Sequence, residues 1–185
     1  AAPDVILTQG LCEVCAPSVE DVRTVAKRLP KRPLIVSLDP HRLRDMLDDV
    51  QRVGKACAAE GAAKSLVESL GERIERIAFL TSHVRERPTV ACLEWLDPLF
   101  AAGHWVPEMV ELAGGVDGLG RRGERSRRVE PKEVVMASPR IVVLMPCGFH
   151  LDRAVKEART LTAQPWWPDL PAARTDRIWV VDGSA

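Results

Sequence analysis

The sequence predicts an α/β fold of two lobes with mainly parallel sheets, joined by one long α-helix. Three observations lead there. Short apolar runs bounded by Pro, Gly or Asp alternate with stretches whose apolar residues recur every three or four positions, the alternation that builds βαβ units. One helical stretch, residues 62–83, is roughly 30 Å long at about 1.5 Å per residue, enough to cross a small domain. All five tryptophans lie after Leu93, so the two halves of the 185-residue chain bury different things.

Asp4-Val5-Ile6-Leu7-Thr8, between Pro3 and Gly10, reads as a buried strand. Residues 9–17 form a loop. Ser18 is placed to N-cap a helix carrying Val22, Val25, Ala26 and Leu29, which Pro30 stops. Leu34 to Leu38 is a second strand, turned by Asp39-Pro40 into an amphipathic helix over 41–60 that carries Leu43, Met46, Leu47, Val50, Val53 and Cys57. Gly61 interrupts it, and the long helix comes next with Leu66, Leu70, Ile74 and Ile77 as its apolar stripe.

The second half opens with a strand over 89–93. A helix from Val106 to Ala113 starts at Pro107 and ends at Gly114-Gly115. Residues 116–128 read as a loop rich in glycine and arginine, ahead of a helix over 131–137 and a strand over 141–145. A helix over 151–161, a Trp-Pro connector over 165–171 and a strand over 178–181 complete the order. The partition is a first lobe over 1–61, a joining helix over 62–83 and a second lobe over 84–185.

Composition removes several functions. Twenty-six basic and 26 acidic side chains give no net charge, which argues against polyanion binding and gives no nucleic-acid partner. No run reaches the roughly 18 apolar residues that would insert in a bilayer, and no basic-then-apolar leader is visible. The five cysteines are odd in number and scattered apart from one pair, so they form no disulfide framework; Cys57 and Cys92 read as small core residues. No P-loop, GxGxxG or GxSxG is present, and no Ser–His–acid set emerges from spacing, so no catalytic residue is assigned.

In open parallel sheets ligands bind beyond the carboxyl ends of the strands. The candidates there are Gln9, Gly10, Leu11 and Cys12 after the first strand, Trp95 after the third, Pro146, Cys147, Gly148 and Phe149 after the fourth, and Asp182 to Ser184 after the last. These segments suit a neutral, flat, greasy ligand better than a phosphate. Trp95, with Trp105 and His104 downstream, is either a stacking wall for a planar ligand or a set of core aromatics pinning a loop. Cys12 and Cys15 have the spacing of a thiol redox or metal pair, but they precede the N-cap at Ser18 and lack two further ligands for zinc, so no metal site is assigned. Arg121, Arg122, Arg125, Arg127 and Arg128 form a basic patch, read as a solvated loop or as an anion site.

Several long strings carry a resemblance. Pro3 to Gln9 with Cys12-Glu13-Val14-Cys15-Ala16 after it, Ala91-Cys92-Leu93-Glu94-Trp95-Leu96-Asp97-Pro98, the run from Gly103 to Gly115, Met145-Pro146-Cys147-Gly148-Phe149 and Val180-Val181-Asp182-Gly183 together resemble the cobalamin-binding, BtuF-like branch of ABC-importer substrate-binding proteins. The match runs over nearly the whole chain. It implies the class III, helical-backbone architecture of periplasmic binding proteins and a ligand held in a cleft between lobes with little hinge motion. The ligand it implies is a corrinoid, with haem or an iron-siderophore as the alternatives that relatives of the fold carry, and no cofactor besides. It implies work in the periplasm or at the outer cell surface, and delivery to a permease–ATPase complex whose arginines receive one acidic side chain from each lobe: Glu13 or Glu20 from the first, Glu130 or Glu133 from the second. Family members carry further elements before and after this segment, so the first lobe is expected to be incomplete and the chain a fragment.

Overall fold

The structure, a computed structural model, describes residues 2–11 and 17–183. The assignments to Cys12, Glu13, Cys15 and Ser184 lie outside the described residues. The chain divides into two compact units, Ala1–Arg76 and Ile77–Ala185.

In the first unit the two apolar runs become strands β1 (Val5–Gln9) and β2 (Leu34–Leu38). They pair in parallel, Val5 opposite Leu34 through Gln9 opposite Leu38. A parallel pair needs a crossover, and α1 (Val19–Ala26) supplies it. Ser18 caps this helix as predicted, its Oγ accepting the Asp21 N–H at 3.1 Å. The helix ends at Ala26, ahead of Pro30, and of its predicted apolar stripe Ala26 is buried while Val25 is 61% exposed. In α2 (Leu43–Ala56) Asp45 takes the capping role, accepting the N–H groups of His41 and Arg42 at 2.9 and 2.8 Å. Arg52 ties this helix to the sheet by pairing with Asp49 at 2.5 Å and donating to the Ser37 carbonyl at 2.8 Å.

The break between the two long helices is not where the sequence places it. Helix α3 runs Glu60–Thr81 and contains Gly61 in its first turn. The chain turns at Ala58, whose φ is +52°, and the Ala59 N–H closes the corner onto the Gly54 carbonyl at 2.8 Å. Gly54 permits this corner: a Cβ built there would lie 2.3 Å from the Cβ of Ala63, which is buried against it. The same corner corrects Cys57, which is the exposed C-cap of α2 and not a core residue. The inner stripe of α3 also shifts. Ala63 is buried and Val67, Leu70, Ile74 and Ala78 are half-buried, whereas Leu66 and Ile77 from the predicted stripe are exposed.

The second unit is built on a sheet in the order β6-β4-β3-β7-β8, with β5 also on β3. Its centre is parallel: β3 (Thr89–Leu96) pairs β7 (Ile141–Leu144), and β7 pairs β8 (Ile178–Val180). Strand β3 is longer than the predicted 89–93 because it bends back through Asp97-Pro98 into β4 (Leu99–Ala101), an antiparallel hairpin that includes Trp95. The segment 116–128 is not simply a loop. It begins as β5 (Val116–Asp117) and ends as β6 (Arg127–Arg128), the latter paired with β4.

The period-two alternation of β3 divides the core. Ala91 and Leu93, wholly buried with Val142 and Leu144, pack with α5 (Pro131–Ala137), α6 (Leu151–Thr162) and α7 (Pro171–Arg174). Val90 and Cys92 face α4 (Val106–Leu112) on the other side. Each fully buried Leu or Val contributes about 1.5–3 kcal/mol by leaving water. Trp167, in a 3-10 turn over Trp167–Asp169, is 4% exposed and anchors the connector in this core, edge-on to Trp166 at 5.4 Å. Cys92 is a core residue as predicted, and burial pushes its thiol up to about 12, too high for thiolate chemistry.

Two glycines in the long helices respond oppositely to alanine. Gly71 in α3 has open space where a Cβ would sit, so Gly71→Ala raises stability by about 0.5–1 kcal/mol through helix propensity. Gly54→Ala gains the same propensity but collides with Ala63, and its melting temperature falls. Thermal unfolding of the two variants beside the parent checks both signs, and a rise for Gly54→Ala contradicts the packing of this corner.

Candidate functional site

The strand ends of the second unit are held by backbone hydrogen bonds. A register shift between Leu93 and Trp95 interrupts the β3–β4 ladder at Glu94. Beyond β7 the chain passes along this irregular stretch, the Cys147 N–H donating to the Glu94 carbonyl at 3.0 Å. Gly148 then takes φ +72°, which glycine adopts without strain. The tail from β8 closes the other side: Gly148 N–H donates to the Gly183 carbonyl at 3.2 Å, and Gly183 N–H to the Phe149 carbonyl at 2.9 Å. Gly183 is packed so closely that an added Cβ would stand 2.1 Å from the Pro146 carbonyl oxygen. Asp182 accepts the Leu151 N–H at 3.3 Å, tying the same tail to the start of α6.

This clamp fixes an aromatic platform. The Phe149 ring meets the Trp95 ring edge-on at 5.3 Å and 64°. Trp95 is 38% exposed, and its indole N–H is satisfied by the Asp97 carbonyl at 2.9 Å, which leaves an apolar face open to solvent. Phe149 is 9% exposed because the Arg153 guanidinium lies over its ring, 3.6 Å from the centroid. The two tryptophans differ in setting, since Trp105 is half-buried against the cluster of Val90, Cys92 and Val110 and tilts against His104 at 5.9 Å. His104 itself sits at φ +56°, with its N–H on the Glu124 carbonyl at 2.5 Å.

Gln9, Gly10 and Leu11 occupy the corresponding strand end of the first unit. Gln9 Oε1 accepts the Leu11 N–H at 2.7 Å, and the Gly10 N–H donates to the Leu38 carbonyl at 3.2 Å. Cys147 is a free, exposed thiol, and Pro146 is fully buried. Among the described residues no group of three or more His, Cys, Asp or Glu side chains is arranged to hold a metal ion.

Sequence reasoning missed Asp117 and Arg153, and it placed Glu94 only among the residues that follow the third strand, with no sign of its burial. Burial raises the pKa of Glu94 against hydrogen bonds from Ser126 and the Gly103 N–H, which pull it down less. Asp117 is raised in the same way despite accepting the Leu119 and Gly120 N–H groups at 2.9 and 2.7 Å on Oδ1. These two carboxyls and the hydrogen bond from His104 to Glu124 anchor the segment that reads as a free loop in the sequence. The basic patch on it is largely neutralised: Arg122 pairs with Glu108 and Glu111, Arg127 with Glu133, Arg128 with Glu130 and Arg121 with Glu124. Arg153 had no signal in one-dimensional pattern, since an exposed arginine on a helix reads as a solvated face.

The acids assigned to docking differ in how they are engaged. Glu133 accepts the Glu130 N–H and pairs with Arg127, and these contacts hold its carboxyl below the usual range. Glu130 and Glu20 are more exposed, at 57% and 71% of their side chains, and make the longer pairs with Arg128 (3.6 Å) and Arg23 (3.7 Å). A cavity of about 310 Å³ opens beside the Asp97-Pro98 turn, lined by Leu99, Arg128, Glu130, Glu157 and Trp166. It is at the lower bound for small-molecule sites and does not include the aromatic platform.

The comparisons with known proteins agree with this architecture. A family model described as periplasmic binding protein matches residues 3–185. An ABC transporter substrate-binding protein from Listeria monocytogenes is similar in structure, with a TM-score of 0.77 at 16% identity, over 97% of this chain and 67% of that one. The periplasmic heme-binding protein RhuT from Roseiflexus, in apo form, gives 0.73 at 21% identity, over 97% and 66%. The periplasmic vitamin B12 binding protein BtuF of Vibrio cholerae gives 0.70 at 15% identity, over 98% and 66%. The chain thus spans about two thirds of the length of these structures. At such identities the likeness establishes the fold alone. None of the curated proteins matches.

The raised pKa of Glu94 makes a prediction with a definite sign. Burial favours its neutral form, so the folded chain holds this proton more tightly than the unfolded chain does. That contribution is complete below the ordinary glutamate value near 4.3 and is lost as pH rises through the higher folded value. The melting temperature of the parent therefore falls relative to that of Glu94→Gln as pH rises above the ordinary glutamate value of about 4.3. A difference that stays flat above that value shows that Glu94 titrates as an ordinary surface acid. Asp117 is common to both proteins and cancels.

Proposed function

We propose a function from one established fact: the chain belongs to the periplasmic binding protein family. It is the solute-binding component of an ABC importer, works in the periplasm or at the outer cell surface, and carries a flat, largely apolar macrocycle. A corrinoid is the first choice of ligand, with haem the nearest alternative. The observation that carries the ligand class is the platform of Trp95 and Phe149 at the strand ends of the second unit, rigidly backed and open on one face. Desolvating a ring against it contributes on the order of 25 cal/mol per Å² of apolar surface. Cys147 and Gly148, in the same unit, add short-range polar and backbone contacts.

The relatives support the reading in kind, since their names include a vitamin B12 binding protein and heme-binding proteins. No helix among the described residues is long and apolar enough to cross a membrane. The docking acids are Glu13 or Glu20 on the first unit and Glu130 or Glu133 on the second, the last two sharing one reciprocal helix cap and each pairing with an arginine, Arg128 and Arg127.

Titration of the 185-residue chain with cyanocobalamin, haem and a ferric siderophore, monitored by tryptophan fluorescence and calorimetry, tests the proposal. One of the macrocycles binds, and Trp95→Ala weakens it about tenfold, the equivalent of about 1.4 kcal/mol from one aromatic contact. If none of the three ligands changes the fluorescence or releases heat, the receptor reading is wrong.

A further inference from the structure

We infer that Arg153 reads an oxyanion on the ligand, so that the site selects a macrocycle that carries an oxyanion at its rim over a counterpart that lacks one. The inference deepens the receptor reading and rests on it. Arg153 lies in the first turn of α6, where the positive end of the helix dipole opposes a cation, so helix stability does not account for an arginine there. Its guanidinium lies 3.6 Å over the Phe149 ring, the residue through which the clamp and the platform meet. That stacking holds the group's flat face and leaves its N–H edge available, with its planar donor fork already oriented. The residue is exposed, and its guanidinium has no ion-pair partner among the described residues.

The arginines of the basic patch are engaged differently. Arg121, Arg122, Arg127 and Arg128 each face a glutamate of this chain. Arg153 is preorganised beside an apolar platform and is left with unused donors. A carboxylate or a phosphodiester at the rim of a stacked ring satisfies that geometry, because charged, forked hydrogen bonds are the strong ones. A neutral amide or ester at the same place accepts more weakly. Two ligand chemistries offer such an oxyanion: the propionates of haem and the phosphodiester of cobalamin.

The experiment compares, by fluorescence titration of the full chain, haem with its dimethyl ester and cyanocobalamin with dicyanocobinamide, which lacks the phosphodiester. For whichever macrocycle binds, the member that carries the oxyanion binds about tenfold or more tightly than the one that lacks it. Arg153→Gln brings the two within about twofold, and Arg153→Lys, which keeps the charge but loses the planar stack, falls between. Arg159→Gln, the same charge change elsewhere on α6, leaves the preference intact. Equal binding of the two members by the parent overturns the inference without touching the receptor reading. So does a preference that survives Arg153→Gln or that Arg159→Gln abolishes equally. The comparison within the parent stands even if the Arg153 variants do not fold. Failure of all four compounds to bind removes the receptor reading, and this inference with it.

Discussion

The parallel register of β3 on β7 is the constraint that positions the candidate site. Leu93 lies opposite Leu144, both fully buried, so the two strands leave the core side by side. The segments after the two strands must then share one small region, and the chain fills it with backbone. Cys147 bonds to Glu94, and Gly183 bonds to Gly148 and Phe149. Parallel strands end together only when their hydrophobic faces are in step, because a one-residue slip would turn Leu93 and Leu144 outward. The position of Phe149 beside Trp95 is therefore set by burial in the core and not by anything a ligand supplies.

Charge is distributed on the same principle. The chain has no net charge, yet its arginines are concentrated after Gly120. Several of them are spent on intramolecular pairs, and two of these, Arg127 with Glu133 and Arg128 with Glu130, hold β6 and the start of α5 together. Exposed pairs of this kind contribute only about 0–1 kcal/mol each, so they orient the segment more than they stabilise the unit. The heavier restraint comes from the buried ends: Asp117 accepting Leu119 and Gly120, and Glu94 accepting Ser126 and Gly103. Each of these carboxyls gives up solvation to serve backbone, which is why their proton affinities rise together.

Much of this was legible in the sequence where one residue type decides the local outcome. Ser18 predicted its cap, Pro131 and Ala137 bounded their helix, and the apolar runs at 34–38 and 141–145 marked strands because continuous burial leaves no polar position. The strings around Cys92-Leu93-Glu94-Trp95 and Pro146-Cys147-Gly148-Phe149 carried the family. Legibility failed where the outcome depends on a partner distant in sequence. Strands of two or three residues such as β5 and β6 have no pattern of their own and exist through pairing. Gly61 looks like a helix breaker but is tolerated in a first turn, while the real corner depends on the close approach of Gly54 to Ala63. Arg153 is the extreme case, since its place in the first turn of α6 is unfavourable for a cation but only its contact with Phe149, which the sequence does not show, sets it apart from Arg159.

An open platform and an enclosed pocket recognise ligands by different physics. The cavity beside the Asp97-Pro98 turn has mixed polar lining and modest volume, properties that suit a side chain or a small solute better than a macrocycle. The face of Trp95 has the opposite character: no polar group of its own left to satisfy, firm support from Phe149 beneath, and area to offer. Such a surface binds any flat apolar body with similar strength, because the hydrophobic effect is non-directional and scales with area. Discrimination among flat ligands must then come from polar groups at the rim, where a missing partner costs more than a contact gains. A fold that supplies the platform from its core and the rim from exposed positions can keep its architecture while its ligand changes.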